Sequence, residues 1–201
     1  MDWNTILSQT ITQAVGVLAV IYCLAAVGLN VHFGYTGLLN FGQSGFLAVA
    51  AYGLAVTVAN LGLSFWLGLV VGIIAAILLA LLLGVPTLRL RADYLAIVTI
   101  AAAEIIRLLV RSVTFLDWFG GSDGIQGLPP PSVLPGVLID TPARNYYLVV
   151  AYLFFAYVVC RTLVSSHFGR VLAAIRENED RARFLGYDVQ RYKMGVCMIS
   201  A

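Results

Sequence analysis

Charge is the first thing that this sequence lacks. Only 10 Asp and Glu and 12 Lys and Arg occur among its 201 residues, and none lies between Asp2 and Arg89. A stretch that long without a charged side chain does not form the surface of a soluble domain. Since ~20 apolar residues cross the ~30 Å hydrocarbon core of a bilayer, it has room for about three passes. With 61% hydrophobic residues, the chain is identified as an integral membrane protein.

Other scarcities exclude several kinds of function. The three cysteines, Cys23, Cys160 and Cys197, lie singly in apolar runs, so we expect no disulfide framework, metal site or cofactor. No GxxxxGK[ST] sequence is present to bind the phosphates of ATP. A net charge of +2 does not indicate nucleic-acid binding. Residues 1–10 lack the basic region of a signal peptide, so we expect the first apolar segment to be retained.

The apolar runs predict an all-α, polytopic fold, because a backbone in lipid satisfies its hydrogen bonds within helices. We expect residues 1–201 to form a single transmembrane domain with five complete helices and the start of a sixth at Tyr192. The five predicted helices cover residues 9–30, 37–59, 65–84, 94–112 and 146–164. A long connection rich in Gly and Pro covers residues 113–145.

Lys and Arg are unevenly placed, and cytosolic connections carry the excess of these residues. If the charged stretch 167–193 is cytosolic, residues 85–93 are cytosolic as well. Nine Lys and Arg then lie inside, against Arg111 and Arg144 outside. The bias predicts a cytosolic loop at 165–191 and an external connection at 113–145.

A segment rich in glycine, residues 34–53, reads GYTGLLNFGQSGFLAVAAYG. Glycines at membrane depth either let helices pack closely or mark a broken helix that lines a pathway. Asn40, Gln43 and Ser44 favour the second interpretation, since such groups seldom face lipid. These three residues are candidates for a pathway lining.

In the fourth predicted helix, Glu104, Arg107 and Arg111 share one face because they are three and four residues apart. We expect Glu104 and Arg107 to form an intramembrane ion pair, since an isolated carboxylate in a membrane is costly. The alternative is a proton relay through Glu104, as in an ion-coupled secondary transporter.

The stretch 167–193 holds six of the 12 Lys and Arg and four of the 10 Asp and Glu. Its apolar positions recur at helical spacing, which predicts an amphipathic helix. We expect Asn178 to cap a second short helix and Gly186 to end it. Polar residues of mixed sign favour a protein partner over an anionic lipid surface.

Three motifs carry a resemblance to a known family. They read LRLRADYLAIVTIAAAEIIRLL at 88–109, GGSDGIQGLP at 120–129 and FGRVLAAIRENEDRARFLGYDVQRYKM at 168–194. Together they resemble the permease subunits of branched-chain amino-acid ABC importers, which lie in the bacterial plasma (inner) membrane. The resemblance implies a multi-pass transport subunit that is not itself an enzyme. It also implies that this chain lacks the family's C-terminal third.

The resemblance further implies partners: ATP-binding cassette ATPase subunits that hydrolyse ATP, a second permease subunit and an extracytoplasmic substrate-binding protein. The implied ATPase-coupling residues are Gly169, Arg170, Ala174, Ile175, Arg176, Glu177, Asn178 and Glu179. The loop at 113–145 would be available for docking or gating, although GGSDG is equally typical of an ordinary turn. Similar permeases carry urea and short amides, which remain an alternative substrate class.

A protease is a third hypothesis, because residues 42–45 read GQSG and resemble the nucleophile site of rhomboid proteases. Such a serine needs a histidine base within hydrogen-bond reach. The chain offers only His32, beside a predicted helix end, and His167, in the charged stretch. Neither lies in a later transmembrane helix, which argues against proteolysis.

Overall fold

The computed structural model describes residues 3–87, 92–127, 132–134, 137–138 and 142–201. The predicted connection at 85–93 and the first motif therefore lie partly outside the described residues, Arg89 and Arg91 included. The helices are α1 Trp3–Ala14, α2 Val17–Thr36, α3 Gln43–Ala59, α4 Phe65–Thr87, α5 Ala92–Arg111, α6 Leu116–Phe119, α7 Pro142–Ser165, α8 His167–Glu177, α9 Glu179–Phe184 and α10 Val189–Ser200. A 3₁₀ turn, Val113–Phe115, precedes α6, and β1 Ser132–Leu134 pairs with β2 Val137–Leu138 in an antiparallel hairpin.

The predicted all-α membrane fold is confirmed, with corrections at two helices. The first apolar segment is divided by Gly16, whose backbone is extended, so that a separate helix α1 precedes α2. The second predicted helix begins at Gln43 and not at residue 37. Gly37 ends α2 in the left-handed conformation at φ 69°, which glycine adopts without strain.

Among the described residues, three segments are long and apolar enough to span a membrane: Thr12–Thr36, Phe65–Thr87 and Ala143–Ser165. Helix α3 is apolar but has only 17 residues. Helix α5 has 20 residues, four of them charged. Helices α3 and α5 pack against each other and against α4. Packing of this kind is how a helix bundle accommodates a short helix or a charged one.

Glycines produce the close contact between α3 and α4, the most extensive helix pair of the described chain. A Cβ atom added to Gly53 would lie 3.2 Å from the Cα of Gly72. One added to Gly72 would lie 2.7 Å from the carbonyl oxygen of Ala50. Backbones this close are typical of membrane helices that associate through small residues. The packing interpretation of the glycine-rich segment is correct for this interface.

The remaining helices form a second group around α2. Helices α7 and α10 pack along α2, and α10 also contacts α4. Leu172 of α8 is buried with Val31 of α2 and Val196 of α10. The charged stretch is therefore folded against the ends of α2 and α10.

The connection between α5 and α7 meets the other end of the bundle. Asn60, at the end of α3, donates through Nδ2 to the carbonyl oxygens of Asp117 at 3.4 Å and Trp118 at 3.1 Å. The GGSDG sequence forms turns in which Gly120, Gly121 and Gly124 have positive φ angles. The turn interpretation of this motif accounts for its glycines.

Candidate functional site

The charged stretch folds as two helices around a break at Asn178. Ser166 caps α8 by accepting the Phe168 N–H, and Asn178 caps α9 through Oδ1, which accepts the Arg181 N–H at 2.9 Å. Gly186, at φ 87°, follows α9. The predicted cap and stop are both confirmed, because the side-chain oxygen of Asn satisfies an N–H group that an α9 without a cap would leave unpaired.

The apolar face of this stretch is covered by the chain itself. Val171, Ile175, Ala182 and Val189 form one buried cluster, against which Tyr192 packs. Val171, Ile175 and Ala182 are among the apolar positions whose spacing predicted the amphipathic helix. The face therefore contacts protein and not lipid, and any further partner must bind the outer, polar face.

Several of the eight predicted coupling residues take part in the packing or capping of the fold. Gly169 and Ile175 are buried, and Ala174 is half-buried. A Cβ atom at Gly169 would overlap the carbonyl group of Val164, so the tight turn from α7 into α8 requires glycine. The Asn178 side chain caps α9.

Arg176 reaches across to α2. Its Nη1 donates to the carbonyl oxygen of Gly34 at 2.6 Å. A Cβ atom at Gly37 would lie 3.3 Å from the Arg176 Cγ, so the side chain lies against the left-handed end of α2. Arg176 thus joins α8 to the point where α2 gives way to the extended segment 38–42.

Glu179 joins α9 to α10. Its carboxylate accepts from Arg183 at 3.0 Å and from Lys193 at 2.7 Å. The Lys193 side chain is only 9% exposed, and an ammonium group so shielded requires a charged partner. Glu179 is therefore held within the chain.

Among the described residues, Arg170 and Glu177 are the two exposed coupling residues with neither an ion pair nor a side-chain hydrogen bond. The structure also exposes two apolar residues that sequence reasoning missed. Phe184 is 91% exposed and Leu185 75% exposed, at the end of α9. Phe184 lies two residues after Ala182, off the helical spacing that buries Ala182, whereas Leu185 lies three residues after it, on that spacing. We call Arg170, Glu177, Phe184 and Leu185 the outer surface.

A separate cavity of about 480 Å³ lies between α3 and α5. Its lining residues from α3 and the residues just before it recur every three or four positions, so that they share one helix face. The lining consists of Phe41, Ser44, Ala48 and Tyr52 on that side, and of Ile100, Ala103, Glu104, Arg107, Val110 and Arg111 on α5.

Glu104 and Arg107 are joined in this cavity by two hydrogen bonds, of 2.8 Å to Nε and 2.5 Å to Nη2. Their side chains are 50% and 51% exposed, so the pair faces open space and not the helix packing. Arg111 lines the same cavity one turn further on. Positively charged, negatively charged and apolar side chains therefore line the same cavity.

Of the three pathway candidates, the structure brings only Ser44 to this cavity. Asn40 is 2% exposed, and its Oδ1 accepts the Gly42 N–H at 2.9 Å. Gln43 donates to the Ser200 carbonyl oxygen at 2.7 Å. Tyr52 was missed, although it lies eight residues after Ser44 on the same helix face.

The extended segment before α3 is hydrogen-bonded to α5 and packs closely against it. The Phe41 N–H donates to Thr99 Oγ1 at 3.2 Å. A Cβ atom at Gly42 would lie 2.6 Å from the Thr99 carbonyl oxygen. The helix is thus interrupted here, between α2 and α3, while the close-packing interpretation holds for Gly53; that the interruption lines a pathway stays a prediction.

The protease hypothesis lacks its base. His32 is 1% exposed, and neither of its ring nitrogens has a hydrogen-bond partner in the described part of the chain, so it does not bond Ser44. His167 lies near Tyr187 in the charged stretch, with ring centroids 6.3 Å apart and ring planes tilted by 49°. The serine is therefore not paired as a nucleophile.

These features define a multi-pass membrane protein of the permease class. The chain belongs to the family described as branched-chain amino acid transport system / permease component, whose model matches residues 11–201. Family and apolar helices together place it in the inner (plasma) membrane.

Two relatives illustrate the similarity. The high-affinity branched-chain amino acid transport system permease protein LivM of Escherichia coli is 34% identical over 94% of this chain and 49% of its own length. The probable branched-chain amino acid transport permease protein LivM of Methanocaldococcus jannaschii is 28% identical over 90% of this chain and 61% of its own length. The chain therefore spans about half the length of the Escherichia coli relative. No solved structure matches.

Proposed function

We propose that this chain is part of the membrane-spanning permease subunit of an ATP-driven ABC importer for branched-chain amino acids. Family membership and the names of the relatives support the transport class. The observation that carries the substrate class is the cavity between α3 and α5, in which a carboxylate, two guanidinium groups and apolar walls occur together.

The composition of that cavity suits a zwitterion with an aliphatic side chain. Arg111 is available to a substrate carboxylate and Glu104 to a substrate ammonium group, since charge-assisted hydrogen bonds are the strongest polar contacts. Ile100 and Val110 supply apolar surface for a branched alkyl group. Urea or a short amide carries no net charge and would leave Arg111 unmatched, so it is the less favoured substrate class.

The energy is proposed to come from partner subunits. ATP-binding cassette ATPases would dock on the outer surface, because aromatic residues such as the exposed Phe184 are enriched at protein interfaces. A second permease subunit would complete the membrane portion. An extracytoplasmic substrate-binding protein would approach the connection at 113–145. The segment 165–191 is then the cytosolic coupling loop.

Uptake by the full-length permease, reconstituted in proteoliposomes with its partners, tests the transport proposal. We expect ATP-dependent uptake of leucine, isoleucine or valine, and no uptake driven by a proton or sodium gradient alone. Gradient-driven uptake by the permease without ATPase subunits would instead favour a secondary transporter that uses Glu104. ATP-dependent uptake of urea but not of leucine would overturn the substrate class alone.

Co-purification tests the docking surface. Burying a Phe side chain contributes about 2 kcal/mol, so Phe184→Ala should weaken ATPase association about 30-fold. Val113→Ala is the matched control, because Val113 is 83% exposed but lies at the end of α5, in the connection proposed to be external. Equal ATPase recovery from both variants would refute the proposed docking site.

A further inference from the structure

A groove between α2 and α7 lies outside both sites described above. It consists of two adjoining cavities, of about 380 Å³ and about 360 Å³, which share Val27 and Tyr157. The first is lined by Val27, Asn30, Val31, Tyr35, Tyr157, Cys160, Arg161, Val164 and Ser165. Neither α3 nor α5 contributes to the groove, so it is independent of the transport cavity.

The end of the groove nearest α8 is polar. Arg161 is exposed and contacts Tyr157, with Nη1 3.4 Å from the hydroxyl oxygen. Within the described residues no Asp or Glu forms an ion pair with Arg161. Asn30, Tyr35 and Ser165 lie at the same end. A guanidinium group without a carboxylate partner, among neutral hydrogen-bonding groups, suits an anion with several oxygens.

The other end of the groove is apolar. It is lined by Cys23, Val27, Val150, Leu153, Phe154 and Tyr157. Along α7, the rise of 1.5 Å per residue places Val150 about 16 Å from Arg161. This distance matches the ~15 Å depth of one leaflet's hydrocarbon.

We propose that this groove binds one phospholipid with an anionic headgroup, in the leaflet that faces α8 and α9. The phosphate lies against Arg161 and the Tyr157 hydroxyl, and an acyl chain follows the groove between Val27 and Leu153 toward Val150. Basic pockets between membrane helices bind anionic headgroups in this way.

The arrangement of a polar end and an apolar end along the groove favours a lipid over other occupants. A free phosphate would use the polar end and leave the apolar end unfilled. A transmembrane helix of a second permease would place apolar side chains on Arg161, which has no acidic partner to neutralise it. A lipid matches the charge, the polarity and the length at once.

Native mass spectrometry of the full-length permease complex, delipidated in mild detergent, tests the proposal. Phosphatidylglycerol is added to the protein, with phosphatidylcholine and glycerol phosphate in parallel. We expect selective retention of one phosphatidylglycerol per copy of this chain. Arg161→Gln should weaken it about fivefold, the ratio that corresponds to ~1 kcal/mol for one cation at a lipid headgroup.

Two further variants separate the parts of the proposal. Arg181→Gln removes the same charge from α9, outside the groove, and should leave lipid retention unchanged. Cys23→Trp fills the apolar end from an exposed position and should weaken retention while keeping every charge. Thermal unfolding of each variant confirms that it is folded.

The opposite results are equally definite. Equal retention of phosphatidylcholine and phosphatidylglycerol, or equal losses for Arg161→Gln and Arg181→Gln, would show unselective lipid around the protein. Competition by glycerol phosphate as strong as that by the lipid would show an anion site only. Absence of any retained lipid from the complex would show that the groove holds no lipid. Each of these overturns the lipid site and leaves the transport proposal untouched.

Discussion

Removing the contact between Arg176 and α2 should uncouple ATP hydrolysis from transport. In the proposed importer, motion of α8 reaches the extended segment 38–42 through the Arg176 hydrogen bond to Gly34. Arg176→Gln removes the charge and shortens the side chain, so the bond is lost. The outer surface, with Phe184 and Leu185, remains intact for docking.

The magnitude follows from the type of bond. A hydrogen bond from a charged donor contributes about 1.5–3 kcal/mol when it is shielded from water. Arg176 is exposed, so solvent reduces this to about 1 kcal/mol. If the contact exists in only one of the two transport states, its loss changes their coupling by the same amount. We therefore expect leucine transported per ATP hydrolysed to fall about fivefold.

The assay measures leucine uptake and phosphate release in the same proteoliposomes, together with ATPase co-purification. Arg181→Gln is the matched control, since its side chain is exposed on α9 and its backbone N–H still binds Asn178. Unchanged stoichiometry in Arg176→Gln would refute transmission through this contact. Lost co-purification would instead assign Arg176 to docking, as the sequence had suggested.

Three further changes test the packing and the cavity. Asn178→Ala removes the cap of α9 and should lower the free energy of unfolding by about 1 kcal/mol, measured by denaturant or heat in detergent; Asn178→Asp, which keeps a capping oxygen, should not. Gly45→Val should destabilise the fold by about 1–3 kcal/mol, because a Cβ atom there would lie 3.1 Å from the Cα of Ala103. Glu104→Gln should reduce leucine uptake but not ATPase association, since the residue faces the cavity and lies far along the chain from α8.

Each of these has a defined contrary result. Equal stability of Asn178→Ala and Asn178→Asp would show that the cap contributes nothing. Ala101→Val, at an exposed position of α5, is the control for Gly45→Val, and equal losses would show a propensity effect and not a clash. Full uptake in Glu104→Gln would remove this carboxylate from the pathway.

The helices could be predicted from the sequence because length and apolarity alone define a membrane crossing. The break at Asn178 was predictable for a local reason as well, since a cap involves neighbours three residues away. The start of α3 was not, because the glycines of residues 34–53 are compatible with close helix packing as well as with a break, and their spacing does not show that Gly37 adopts the left-handed conformation. Side-chain hydrogen bonds from Asn40 and Thr99 then hold the extended segment.

Contacts between residues that are distant in the sequence limit how much of the candidate sites could be predicted from the sequence. Arg176 and Gly34 are 142 residues apart, and no spacing rule connects them. Ser44 and Glu104 share a cavity only because α3 packs on α5. Periodicity identified the buried face of α8, but it did not indicate the exposure of Leu185, which lies three residues after the buried Ala182.

The charges of α5 also bear on how the protein enters the membrane. Helix α4 has a mean hydropathy of 3.0 and can leave the insertion machinery for lipid unaided. A charged side chain at the centre of a helix opposes that step by about 2.5–3.5 kcal/mol, and α5 carries Glu104 and Arg107 just beyond its centre. Ala103 packs on Gly45 of α3. We therefore expect α5 to leave the insertion machinery only when α3 and α4 are already present to pack against it. The three helices would then enter the membrane together.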